Sequence, residues 1–149
     1  MYATIATHVE SSAIAKFSQN HRSNMAKSPI TCHILDAALG KPAQGVQVEL
    51  QKYEESLSES PFRAVATGIT NADGRCLDLL PPAGSEGSTP LQGGETYKVI
   101  FKTKQYFEGT DRKSFYPWVE IPFTIQNPGE HYHIPLLISP FSFTTYRGS

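Results

Sequence analysis

The groups with the greatest capacity for chemistry in this sequence are two closely spaced imidazoles, His131 and His133, and the terminal run Tyr146-Arg147-Gly148-Ser149. An imidazole, with an unperturbed pKa of about 6.5, can take and return a proton at neutral pH. A chain terminus is normally frayed and tolerant of change. Here it follows an almost unbroken strand-forming stretch from His131 to Arg147. A polar, reactive cluster built into such a stretch predicts that the tail lines a site.

Strands must position these groups, and successive strand residues point to opposite faces. Tyr132, Ile134, Leu136 and Ile138 form one apolar face; His131, His133, Pro135 and Leu137 form the other. In the next segment Phe141 and Phe143 lie on one face, and Ser142, Thr144 and Tyr146 on the other. Cross-strand partners share a face, so odd residues of the first segment should pair with even residues of the second. A short loop around Ser139-Pro140 then sets His133 opposite Tyr146 or Gly148. A register slip of two residues preserves this shared face. The same parity in the segment from Pro29 to Asp36 puts Ile30, Cys32 and Ile34 on an apolar face and leaves Thr31 and His33 on the other. Arg75, directly after the turn Asn71-Ala72-Asp73-Gly74, is delivered to a sheet end. Cys32 and Cys76 should point away from their reactive neighbours.

The rest of the chain reads the same way, with an all-β pattern of eight short strands. Besides the strands just described, these are Val46 to Tyr53, Phe62 to Thr70, Arg75 to Leu79, Thr96 to Thr103 and Trp118 to Ile125. Gly40-Lys41-Pro42 reads as a turn and residues 81–95 as the longest loop. Lys104 to Gly109 suits a single helical turn. Pro122 makes its strand an edge or a bulged one. Strands and turns at this spacing predict a sandwich or barrel.

The 149 residues suffice for one domain, 28–149, preceded by a Ser-, Ala- and Asn-rich extension, 1–27, expected to be disordered; Met25 is an alternative start. His8 and His21 fall in that extension and are expected to be inert. A net charge of −1 without a basic block argues against nucleic acid. No apolar run approaches the roughly 20 residues of a membrane span. Two cysteines, with no CxxC or HExxH spacing, read as buried small hydrophobes in a reducing compartment, with no metal and no cofactor. A disulfide between them stays open at this point. The expected location is the cytoplasm, with the peroxisome as the alternative.

Several segments together resemble the transthyretin-like family. They are Thr31-Cys32-His33-Ile34-Leu35-Asp36 with Gly40-Lys41-Pro42-Ala43, Thr70-Asn71-Ala72-Asp73-Gly74-Arg75, Tyr106-Phe107, Phe115-Tyr116-Pro117 and the run from His131 to Ser149. The likeness covers about residues 29–149 in the family's order. It implies an eight-stranded sandwich with one short helix, assembled as a homotetramer whose sites lie in a channel between dimers. Within the family, the retained histidines, arginine and tail resemble members that hydrolyse 5-hydroxyisourate to 2-oxo-4-hydroxy-4-carboxy-5-ureidoimidazoline in purine catabolism. The vertebrate hormone carriers lack them. The resemblance implies a catalytic set of His33, Arg75 and His133, with Tyr146, Arg147, Gly148 and Ser149 shaping the substrate pocket.

Opening a planar oxidised purine by water needs a base for the water and a cation for the developing oxyanion. Under the resemblance, His33 and His133 activate water and relay its proton, either being able to serve as base, and Arg75 holds the substrate oxygen. His131 takes a supporting role and Tyr146 donates to substrate or to His133. Ser149 is not read as a nucleophile, because direct attack by water needs no acyl-enzyme. Asp36 fixes the first turn. The rival expectations are a carrier of a small aromatic ligand and a purely structural sandwich.

Overall fold

The computed structural model describes residues 27–56 and 59–149. The expectations of a disordered extension, of an alternative start at Met25 and of inert His8 and His21 lie outside the described residues. Among the described residues nine strands form two sheets, accompanied by one helix: β1 (Ile30–Asp36), β2 (Lys41–Pro42), β3 (Gln47–Tyr53), β4 (Phe62–Ile69), β5 (Arg75–Cys76), β6 (Thr96–Phe101), α1 (Thr103–Gly109), β7 (Val119–Thr124), β8 (Tyr132–Ser139) and β9 (Ser142–Thr145). One sheet runs β2-β1-β8-β9 with β5 also on β1; the other runs β4-β3-β6-β7. This is the expected all-β sandwich with one short helix.

Alternation builds the core. Ile30, Cys32 and Ile34 of β1 and Leu136 and Ile138 of β8 are at most 1% exposed, facing Val48, Leu50, Val99 and Phe101 of the second sheet. Thr103 and Phe107, one helical turn apart, are the buried residues of α1, so the helix seals one end of the same core. The strand that organises the first sheet is β8. It pairs in parallel with β1 along its length, from Ile30↔Tyr132 through Thr31↔His133 and His33↔Pro135 to Asp36↔Ile138.

The departures from the sequence reading have local causes. Lys41 and Pro42, expected in a turn, pair with Asp36 and Leu35 as a two-residue strand. The fourth expected strand is only Arg75–Cys76, because the chain leaves the ladder to bury Leu79. The strand through Pro122 is unbroken, which a proline permits because β7 pairs with β6 alone and is an edge strand. The last strand ends at Thr145, and Gly148 rejoins β8 as an isolated bridge to His133.

Candidate active site

The turn before β5 places the arginine. The Asn71 side-chain oxygen accepts from the backbone N–H groups of Asp73 and Arg75, each at 3.0 Å. Gly74 has φ of 72°, and a Cβ there would lie 2.4 Å from the Ile34 carbonyl oxygen, so only glycine fits against β1. Ile34 N–H donates to Gly74 O at 2.8 Å. This contact sets Arg75 directly opposite His33, with Cys32 opposite Cys76 one step along. Both thiols are free and buried in the core, on the face away from His33 and Arg75. The hydrogen bond with Cys76, and then burial, push the Cys32 thiol up, keeping it protonated.

The hairpin places the rest. Leu137↔Thr144 and Ile138↔Phe143 are paired, and His133 faces Gly148, the odd-to-even register the parity argument requires. Gly148 N–H donates to His133 O at 3.0 Å. A Cβ on Gly148 would lie 2.7 Å from His133 Cδ2 and 3.0 Å from Pro135 Cγ, so the tail backbone rests on the imidazole. The register carried one residue past Thr145 sets Tyr146 beside Pro135. Arg75, His33, His133, Tyr146 and Gly148 therefore occupy one face across β5, β1, β8 and the tail. The His33 and His133 rings are 6.4 Å apart, tilted by 32°.

Arg147 makes contacts of its own. Its guanidinium pairs with the Glu130 carboxylate and lies over the Tyr132 ring, 5.1 Å from its centre. Alternation puts it on the other side of the hairpin from His133, where it holds the tail in place. Ser149 is exposed beyond Gly148. His133, Tyr146 and Arg147 also reach a cavity of about 310 Å³ at the edge between the sheets, walled by Phe123, Tyr132 and Ile134.

All three imidazoles titrate below their ordinary value. For His33 and His133 burial acts first and the positive charge of Arg75 second; for His131 burial is followed by Lys27. At neutral pH they are uncharged and carry a free lone pair, the form a general base needs. Among the described residues no three of His, Cys, Asp and Glu are grouped to hold a metal ion.

Thr31 is a site residue whose role sequence reasoning missed. It is 1% exposed, and its Oγ1 lies 2.8 Å from His131 Nε2 and 2.8 Å from His133 Nδ1. Its place on the His33 face was legible; the parallel β1–β8 register that sets it beside His133 was not. A second network supports the face from its end. Asp36, fully buried, accepts from Ala38 N–H at 3.1 Å, Leu39 N–H at 3.0 Å, the Tyr106 hydroxyl at 2.9 Å and the Arg112 guanidinium. Burial pushes its carboxyl up, but Arg112 and these donors outweigh that and hold it below the usual carboxylate range. Its expected part in the first turn is thus accompanied by an anchor for α1.

A family model described as the HIUase/Transthyretin family matches residues 30–148. A 5-hydroxyisourate hydrolase of Mus musculus is 43% identical over 122 residues, covering 82% of this chain and 96% of its own. The structure of Klebsiella pneumoniae 5-hydroxyisourate hydrolase superposes with a TM-score of 0.61 at 34% identity, covering 80% of this chain and 98% of that one. Sea bream transthyretin in complex with thyroxine superposes with a TM-score of 0.67 at 31% identity, covering 81% and 95%. A hydrolase and a ligand-binding protein share this backbone, so the distinction rests on the side chains of the site.

Proposed function

The chain belongs to the HIUase/Transthyretin family, and we propose that it is the hydrolase of 5-hydroxyisourate in urate degradation. The observation that carries this reading is the shared face of His33, Arg75 and His133, with the Gly148 backbone against the His133 ring. A carrier has no use for neutral imidazoles beside a guanidinium; an acyl hydrolase needs both. In the reaction, a histidine takes a proton from water as the water oxygen bonds to the substrate's acyl carbon. The carbonyl electron pair moves onto its oxygen, which Arg75 holds. Collapse of that oxyanion breaks the ring C–N bond, and the imidazolium returns its proton to the departing nitrogen. The product is the ring-opened carboxylic acid, 2-oxo-4-hydroxy-4-carboxy-5-ureidoimidazoline, which ionises in water.

We further propose a homotetramer in which faces from more than one subunit enclose the substrate. Supporting this, Phe115 and Phe141 are 69% and 76% exposed, and Tyr116 stacks edge-on against both Phe115 and Phe143. An apolar patch of this kind marks an interaction surface. Sedimentation of the full chain should give four times the mass of one chain; a stable monomer would reject the assembly. The free, buried Cys32 and Cys76 support a reducing compartment, which we take to be the cytoplasm, with the peroxisome as the alternative; imaging of an amino-terminal fluorescent fusion decides between them.

The activity is tested by adding purified protein to freshly generated 5-hydroxyisourate and following its ultraviolet absorbance. Decay should accelerate in proportion to enzyme concentration. Decay at the spontaneous rate, with tight binding of a planar aromatic ligand, would establish the carrier instead.

A further inference from the structure

We propose that Thr31 and His131 are positioning residues that hold His133 in the tautomer with Nδ1 protonated and Nε2 free, making Nε2 of His133 the base. This rests on the hydrolase reading above and identifies which imidazole does the work and what orients it.

The argument begins with a count of protons. The Thr31 hydroxyl is buried and touches a ring nitrogen of each of two histidines, both at 2.8 Å. A hydroxyl has one proton to donate. It can therefore donate to one ring and must accept from the other. With both rings neutral, one offers Thr31 an N–H and the other a lone pair, so the tautomers of His131 and His133 are tied together.

The direction of the chain follows from the hydrolase reading. With Nδ1 on Thr31, the nitrogen of His133 left to take a proton from water is Nε2, and it can do so only if Nδ1 carries the ring's proton. Thr31 then accepts from His133, and His131 must present a lone pair on Nε2. Thr31 donates to that lone pair. His133 Nδ1–H donates to Thr31, and His133 Nε2 is left unprotonated. Its neighbouring ring atom, Cδ2, is the one the Gly148 backbone lies against. The free lone pair thus lies on the ring edge where the tail packs. Among the described residues no hydroxyl joins the His33 ring to a second imidazole; Arg75 lies opposite it across the ladder.

The chain also gives the proton somewhere to go. When Nε2 takes a proton from the attacking water, Nδ1–H can pass to Thr31 Oγ1 while the hydroxyl's own proton passes to His131 Nε2. His133 is then neutral and His131 carries the charge, one ring further from Arg75. When the departing nitrogen takes the Nε2 proton, the same two transfers run backwards and restore the starting state. No proton is lost or gained. A buried threonine satisfied for structural reasons alone would leave the tautomer of His133 free to vary.

The test uses the full-length protein with its histidines labelled with nitrogen-15, at a pH where the rings are neutral. Long-range proton–nitrogen spectra should show His133 protonated on Nδ1 in the wild type, and a mixture or the Nε2–H form in Thr31→Val. Thr31→Val should lower kcat about tenfold or more, the lower end of what a positioned base contributes, with KM within about twofold. Thr31→Ser, which keeps the hydroxyl, should restore both the tautomer and most of the rate. His131→Phe should lower kcat similarly, and combining it with Thr31→Val should cost little more, since both act through one chain. A wild-type His133 protonated on Nε2 would overturn the proposal, as would wild-type kcat in a folded Thr31→Val. Those results in an active enzyme leave the hydrolase reading intact. An inactive wild type with His133 protonated on Nδ1 would reject the hydrolase reading and not the chain.

Discussion

Replacing Gly148 with alanine should damage catalysis far more than stability. The added Cβ would sit 2.7 Å from His133 Cδ2 and 3.0 Å from Pro135 Cγ. Carbon atoms rest about 3.5–4.0 Å apart, so ring and tail must separate by roughly an ångström. Arg147 ties the tail to Glu130 and to the Tyr132 ring, Gly148 N–H donates to His133 O, and Thr31 holds the ring from the other side. Ring and tail share the displacement, and the part that falls on the imidazole pulls it off its bond to Thr31. A misplacement of about 1 Å can cost on the order of 10²-fold in rate, so kcat/KM should fall by roughly 30- to 100-fold, or about 2–3 kcal/mol on the barrier. If the tail gives way instead, the loss is one hydrogen bond, worth about 1 kcal/mol, and Tm should fall by only a few degrees. The assay is the ultraviolet progress curve of 5-hydroxyisourate, run beside thermal unfolding of the same samples. A Gly148→Ala enzyme within about threefold of wild type would refute the claim that the tail backbone sets the His133 ring.

Further outcomes are expected. Arg75→Ala should lower kcat/KM by about 10²-fold or more if the guanidinium holds the oxyanion; near-normal turnover would remove it from that role. The acid limb of kcat/KM should have its midpoint below about 6.5, the ordinary imidazole value, because burial and then Arg75 depress His33 and His133. Removing the Arg75 charge should move that limb to higher pH in the residual activity, and a limb that stays put would show that Arg75 does not act on the bases. The same depression means the unfolded chain binds more protons on acidification, so this contribution to stability is intact above about 6.5 and is lost as pH falls through the lower folded values. Asp36→Asn removes the charge facing the partly buried Arg112. Breaking such a pair costs about 2–4 kcal/mol, so Tm should drop by about 10 °C; a drop under about 3 °C would place the anchor of α1 elsewhere.

The faces of the strands were legible without coordinates. Alternation in the β8 segment assigned Tyr132, Ile134, Leu136 and Ile138 to the core, where they are 4%, 6%, 0% and 1% exposed. The same parity, with a short connection at Ser139-Pro140, set His133 opposite the tail, and the structure bridges it to Gly148. Gly74 before Arg75 was legible as a turn, though not as the close contact with β1 that only glycine allows.

What strand alternation could not supply was who stands beside whom across the sheet. Thr31 and His133 are 102 residues apart and meet because β1 and β8 run in parallel. No hairpin joins them, so no turn sequence announces their register. The Asp36–Arg112 pair and the Arg147–Glu130 pair depend likewise on where long connections return. Alternation is a property of each strand's own backbone, which is why the sequence by itself determined the faces, the core and the hairpin carrying the tail. Lateral order comes from closing loops over the whole chain, and only that tertiary step decided that Arg75 faces His33, that Thr31 joins two imidazoles, and that Arg147 pairs with Glu130 over the Tyr132 ring.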